Sequence, residues 1–353
     1  MVPIATSTIT SSGFEPAGFF LPDLFNDCCY PLRMNPRSHR VSRASEQWLF
    51  NEAHVSEPEI AKLRAIRASD LIAYSYPNAD ASHLRIPLDF LYWAFKLDDY
   101  LDGHGVDDAR AMHLIAWAMR ECCISALRDP INFQMDNPAG KICKSIFSRF
   151  IETASPGCTK QFIHTFDLFF IAASKEADNH AKGHNHNLES YTTLRWDLSG
   201  CKSFFVFIKY AARMDLPDEV VSHPMIMAME DATNDFISWS NDICSYNKEQ
   251  SDCDTYSNLI AVLMHERGLD LQGAADYSGK LCKSVIQRFE DSHATLPSWG
   301  EEVDKQVAIY IQGLQDLMVG SLHWYFDSAR YFGKDGQTVK QDRFIKLLPQ
   351  RPL

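Results

Sequence analysis

The stretch "NDICSYNKE", residues 241–249, sets an amide, a hydroxyl and a carboxylate four residues apart. In an α-helix Asn241, Ser245 and Glu249 fall within roughly 80° of one another, so the stretch reads as a helix turning three oxygen donors one way. An oxygen-only, weakly charged set suits Mg²⁺ better than zinc, which prefers Cys and His. Magnesium leans on waters and substrate phosphates when protein ligands are few, so the stretch asks for a phosphorylated ligand. A solvated polar helix face reads equally well from the nonamer alone.

Helical periodicity also dominates on either side of it. Helices are predicted near 84–103, 108–126, 139–153, 160–181, 188–213, 225–249, 256–267, 270–291 and 300–332, with Pro and Gly mostly between them. Ser56 stands three residues before Glu59 with a proline between them, a capping-box helix start. No alternating strand is followed by a hairpin turn, no Pro-, Gly- or Ser-rich linker divides the chain, and no repeat is evident. The expected fold class is all-α, a single domain, with a flexible N-terminal tail over 1–18.

The 353 residues suffice for a large core, and 46% are apolar. A net charge of −12 argues against nucleic acid or an anionic membrane as partner, so an anionic ligand needs locally placed cations. Ten cysteines without a CxxC pair read as reduced, mostly buried thiols. The N-terminus lacks a secretory leader pattern, and no run reaches the roughly 18 apolar residues of a membrane span, so a soluble, cytoplasmic protein is expected. In "HAKGHNHN", His180, His184 and His186 have ligand-like spacing but sit in a Gly- and Asn-containing stretch, which favours a solvated loop. Asp107 and Asp108 read as a helix start.

A second acidic cluster closes "FLYWAFKLDDYLDG". Asp98 and Asp102 share a helix face and Asp99 is turned roughly 100° away. Carboxylates crowded at the negative end of a helix dipole repel unless cations lie between them, which points to bound metal.

These motifs make the chain resemble the class I terpene synthases, most like the fungal sesquiterpene synthases. "DDYLD" at 98–102 matches the family's DDxxD motif and "NDICSYNKE" its NDxxSxxxE motif. Arg195 in "LRWDLSG", 46 residues before Asn241, stands where the family carries a diphosphate-sensing arginine, and the helix break that follows falls at Asp197, Ser199 or Gly200. "WYFDSARY" supplies the arginine–tyrosine pair Arg330–Tyr331, with Trp324 six residues before the arginine.

The resemblance implies a helical bundle over 19–335 around a central active-site cavity, followed by a C-terminal tail over 336–353. It implies a sesquiterpene synthase that ionises farnesyl diphosphate with Mg²⁺ and cyclises the cation. Three magnesium ions would accompany the diphosphate, with Mn²⁺ as a substitute. Asp98, Asp102, Asn241, Ser245 and Glu249 would be metal ligands, Asp99 and Asp102 being the less direct of the aspartates. Arg195, Lys248, Arg330 and Tyr331 would bind diphosphate, although Lys248 reads equally as a surface lysine. Phe95 and Trp324, with Phe204 and Phe205 as further candidates, would face the carbocation. Two alternatives are a trans-prenyl diphosphate synthase and a non-catalytic prenyl-diphosphate-binding helical protein. The first is disfavoured because "GHGVDDARAM" lacks the arginine pair that such synthases carry after the first aspartate motif.

Overall fold

The computed structural model describes residues 18–51, 55–102, 109–134, 138–183, 185–253 and 255–350, with the side chains of 96–102, 109–118, 138–139 and 181 outside the description. The chain runs β1 (Gly18–Phe20), α1 (Leu24–Asp27), α2 (Ser38–Asn51), α3 (Glu57–Ile66), α4 (Ala68–Ser75), α5 (Ala81–Asp102) and α6 (Ala109–Arg128). There follow α7 (Pro138–Thr153), α8 (Pro156–Ala181), α9 (Leu188–Leu198), α10 (Cys201–Ala212), α11 (Asp218–Val221), α12 (Pro224–Ser251) and α13 (Leu259–Arg267). The last elements are α14 (Leu271–Ala294), α15 (Glu301–Asp327), α16 (Ala329–Phe332), a 3₁₀ turn (Gly333–Asp335), α17 (Gly336–Asp342) and β2 (Phe344–Lys346).

Helix α12 holds the middle of the bundle, packed against α9, α10, α13, α14 and α15. Proline in its first turn and the His223 side chain on the Met225 N–H start it cleanly. Helix α15 packs on α4, α10 and α12, and α5 on α2, α4, α7 and α10, so these helices wall a central space. Beneath it Phe90 meets Phe162, Phe166, Phe204 and Phe207 edge-on, with ring centroids 5.4 to 5.9 Å apart. Phe90, Phe162, Phe166 and Phe207 are thus ordinary core. The capping box forms as read, Glu59 accepting from the Ser56 N–H at 2.9 Å.

The all-α expectation holds but for one antiparallel ribbon. β1 pairs with β2 in the register Gly18↔Lys346, Phe19↔Ile345 and Phe20↔Phe344. Residues 336–346, read as part of a tail, therefore form a helix and a strand, and Gly18 belongs to the fold. Phe19 and Ile345 point inward from this ribbon, 1% and 2% exposed. Three-residue strands are too short to show alternation in a sequence, and only their long-range pairing makes them strands. The remainder of the expected N-terminal tail lies outside the described residues.

Two predicted helices are broken. The 188–213 helix divides at Gly200, whose φ of 73° ends α9 and lets α10 leave in a new direction. The 300–332 helix divides at Ser328, which is extended (ψ 146°) and whose hydroxyl accepts from the Arg330 N–H, starting α16. The expected start at Asp107–Asp108 lies outside the described residues; α6 is described from Ala109. All ten cysteines are free thiols.

Candidate active site

The central space is a cavity of about 360 Å³, within the usual size of small-molecule sites. Leu71 and Ser75 of α4, Leu91 and Phe95 of α5, and Phe204 and Phe205 of α10 form part of its wall. Ile237 and Ser238 of α12 and Leu317, Ser321, Trp324 and Tyr325 of α15 continue it. Arg195, Asn241, Arg330 and Tyr331 also line it, bringing three distant stretches of chain to one place.

Arg195 is fixed by α12. Its Nη2 donates to Asp242 Oδ1 at 3.0 Å and to Asn241 Oδ1 at 3.3 Å. Burial opposes the guanidinium's charge, but the Asp242 carboxylate and the Tyr191 hydroxyl outweigh it and hold the pKa above the ordinary arginine value. The buried Nε has no acceptor among the described residues. Asp242 is over-determined in turn, accepting from the Tyr191 hydroxyl and from the Leu259 N–H at 2.7 Å.

Asn241 and Tyr331 are tied together. A guanidinium only donates, so Asn241 must turn Oδ1 to Arg195 and Nδ2 outward, where it meets the Tyr331 hydroxyl oxygen at 2.9 Å. The phenol accepts this bond, leaves its own proton to give, and is kept protonated by burial, which raises its pKa. Glu249 lies two turns along α12. Its carboxylate accepts from Asn258 Nδ2 at 2.8 Å, and burial together with the neighbouring Asp242 raises its pKa to about 7. Ser245 Oγ is 3.5 Å from the Asp242 carbonyl, a weak contact that leaves it available.

The donor set Asn241, Ser245 and Glu249 suits a hard divalent cation, and a partly buried carboxylate pushed toward neutrality is a group such a cation would return to its charged form. No group of three or more His, Cys, Asp or Glu able to hold a metal occurs among the described residues. Asp98 and Asp102 lie on α5 by its backbone, but their side chains, with that of Asp99, lie outside the described residues.

Phe95 and Trp324 stack at 6.2 Å and 25°, and Trp324 meets Tyr331 edge-on at 5.6 Å. The Arg330 guanidinium lies 5.0 Å from the centre of the Phe95 ring. On one continuous helix Trp324 and Arg330 would project roughly 120° apart. The break at Ser328 overturns that expectation and folds Arg330 and Tyr331 back toward the cavity that Trp324 lines.

Lys248 is placed elsewhere. It does not line this cavity, is half exposed, and pairs with Asp252 at 3.2 Å, one turn along the helix. The histidine stretch is not simply a solvated loop: His186 is buried and sits 3.2 Å from Glu176, while the His180 ring packs on Tyr256. His184 lies outside the described residues. Asp242 and Asn258, which brace Arg195 and Glu249, and Tyr325 were not singled out from the sequence. Asp242 could have been, since it stands next to Asn241 in the same motif and is turned roughly 100° from it on the helix.

Known proteins resemble the chain in sequence and in fold. Residues 89–288 match the family model of terpene synthase family 2, C-terminal metal binding. The chain is 39% identical to sesquiterpene synthase Agr1 of Cyclocybe aegerita over the whole of both chains. It is 41% identical to α-muurolene synthase of Coprinopsis cinerea, over 96% of this chain and 80% of that protein. Among solved structures, an α-eudesmol synthase superposes with a TM-score of 0.76 at 21% identity, covering 85% of this chain and 97% of the other, which shows a shared fold.

Proposed function

The chain belongs to the terpene synthase family and is a terpene cyclase, and from that premise we propose that it is a sesquiterpene synthase that ionises farnesyl diphosphate, cyclises the carbocation and releases diphosphate. One observation carries this reading: a single cavity joins aromatic and aliphatic walls to a cluster of diphosphate donors, Arg195, Arg330 and Tyr331.

The present bonds of each donor support a role for it. Arg195 keeps its buried Nε to give to a diphosphate oxygen while Asp242 holds its Nη2. Tyr331, accepting from Asn241, offers its hydroxyl proton to the same leaving group. Arg330 reaches the diphosphate from the flank of the Phe95 ring. As the carbon–oxygen bond breaks heterolytically, these groups meet the negative charge growing on the leaving oxygen. Asn241, Ser245 and Glu249, together with Asp98 and Asp102, would hold Mg²⁺, in three ions with the diphosphate, or Mn²⁺. When bound, these ions supply the further positive charge that makes the diphosphate a competent leaving group. Phe95, Trp324 and Tyr325 present ring faces and edges that shield the cation and exclude water.

No helix among the described residues is long and apolar enough to cross a membrane, in keeping with a cytoplasmic enzyme working on a small molecule. The test is incubation with farnesyl diphosphate and Mg²⁺, with gas chromatography and mass detection of the products and a diphosphate assay. Cyclic C15 products with equimolar diphosphate are expected. No diphosphate release would overturn the reading, and a longer prenyl diphosphate on adding isopentenyl diphosphate would assign the chain to elongation.

A further inference from the structure

Four serines line the cavity, Ser75, Ser199, Ser238 and Ser321. In three of them the single hydroxyl proton is already committed. Ser75 donates to the Leu71 carbonyl at 2.7 Å. Ser199 and Ser238 donate to one atom, Asn234 Oδ1, at 2.8 and 3.2 Å. The direction of these two bonds follows from chemistry. Asn234 is 1% exposed, and its other amide atom lies 2.7 Å from the Trp196 main-chain carbonyl, which only accepts. The amide nitrogen must face that carbonyl. The amide oxygen therefore faces the serines, and each serine must be the donor.

The carbonyl end of this arrangement is rigid. Trp196 lies in the last turn of α9, where carbonyls lack helical partners, and its indole N–H donates to Asp235 at 2.7 Å. Asp235 is held by Arg288 at 2.5 Å. Ser199 Oγ also accepts from the Cys201 N–H at 3.1 Å, so it has one lone pair left, while Ser238 has two. The shared acceptor Asn234 thus orders the part of the wall beside Arg195 and Asn241, which line the same cavity.

We infer that Asn234 is a positioning residue for the carbocation: by taking the protons of Ser199 and Ser238 it leaves only oxygen lone pairs on that part of the cavity wall. A hydroxyl with its oxygen toward a cation attracts it, and one that turns its proton inward repels it or presents a bound water for capture. Fixed in advance by the amide, the two dipoles need no reorientation when charge appears. The inference rests on the cation-forming function proposed above, and its test carries a binding arm that does not depend on turnover.

The variants are Asn234→Leu, which removes the shared acceptor, Asn234→Asp, whose neutral acid form keeps both an acceptor and a donor, and Ser238→Ala. The probe is a tertiary ammonium mimic of the farnesyl cation, titrated with Mg²⁺ and inorganic diphosphate. Asn234→Leu is expected to weaken the mimic by about five- to thirtyfold while Mg²⁺ and diphosphate alone bind as in the parent. With farnesyl diphosphate, acyclic and water-captured products should rise by a similar ratio, Asn234→Asp should restore the parent partition, and Ser238→Ala should move it the same way by less. A lower melting temperature with unchanged mimic affinity and product partition in Asn234→Leu would overturn the inference, leaving Asn234 as a tie for the helix break. Should Asn234→Leu not fold, unchanged affinity in Ser238→Ala overturns it equally. A parent protein that binds the mimic but converts no farnesyl diphosphate refutes the proposed function instead, and the affinity difference still decides the role of Asn234.

Discussion

The indole Nε1 of Trp324 donates to the main-chain carbonyl of Ile66 across 2.8 Å, and its proton also reaches the Arg67 carbonyl at 3.1 Å, where α3 ends. The same indole lines the cavity and stacks with Phe95. Cavity wall and core anchor are therefore one residue here.

This double role predicts two separable losses. Trp324→Phe keeps a ring but leaves helix-end carbonyls without their donor, costing about 1 to 3 kcal/mol in stability with a modest change in products. Trp324→Leu also removes the ring, so stability should fall by about 3 to 5 kcal/mol and early-terminated products should gain about five- to thirtyfold. Thermal melting and product chromatography on both variants check the separation.

The Arg195–Asp242 pair predicts an asymmetry with Lys248. Asp242→Asn leaves a buried guanidinium poorly compensated and should destabilise the fold by about 3 to 5 kcal/mol, whereas Arg195→Lys should keep more stability but lower turnover by at least about a hundredfold. Lys248→Ala removes only a half-exposed pair, worth less than about 1 kcal/mol, and should leave turnover within about threefold of the parent. Denaturant melts and steady-state rates distinguish the three.

Glu249 predicts a pH dependence with a definite sign. Its folded pKa, raised to about 7, exceeds the ordinary 4.5, so between these values the folded protein holds a proton that the unfolded chain has lost. Stability of the metal-free protein should therefore fall as pH rises from about 5 to 8, by up to about 3 kcal/mol from this group, and the slope should flatten in Glu249→Gln. Binding of Mg²⁺ with diphosphate should strengthen over the same window, because the metal needs the carboxylate. Glu249→Gln should cost at least about a hundredfold in turnover at subsaturating Mg²⁺. Chelation should abolish turnover with little change in melting temperature, since no described ion pair depends on the metal. Melting curves against pH and isothermal titration with Mg²⁺ and inorganic diphosphate measure these effects.

Helix α16 is four residues long and joined to α15 through the extended Ser328. Too short to be stable alone, it should order further when Arg330 and Tyr331 grip diphosphate. Hydrogen exchange with Mg²⁺ and diphosphate should show added protection over 328–335 and at 195–200. Unchanged exchange in both stretches at saturating ligand would refute this closure.

Which donors share a helix face was legible in the sequence because helical spacing alone fixes it. Asn241, Ser245 and Glu249 needed only the 3.6-residue period, and the order of the motifs named the family. Element type was legible for the same reason, as was the Ser56 helix start, since propensity, capping and periodicity act over a few residues. What tertiary structure decided lies at helix ends and in the partners of buried polar groups. Whether α15 runs on past Ser328, and so whether Arg330 faces Trp324 or turns away, depends on the elements packed around that break. The ribbon of Phe19 and Ile345 exists only because residues over 300 positions apart meet there. Asp242 for Arg195, the Ile66 carbonyl for Trp324 and Asn234 for Ser199 are pairings between separate elements. A buried donor must find an acceptor, but the sequence nearby states only that one is needed, and the packing of helices determines which residue supplies it.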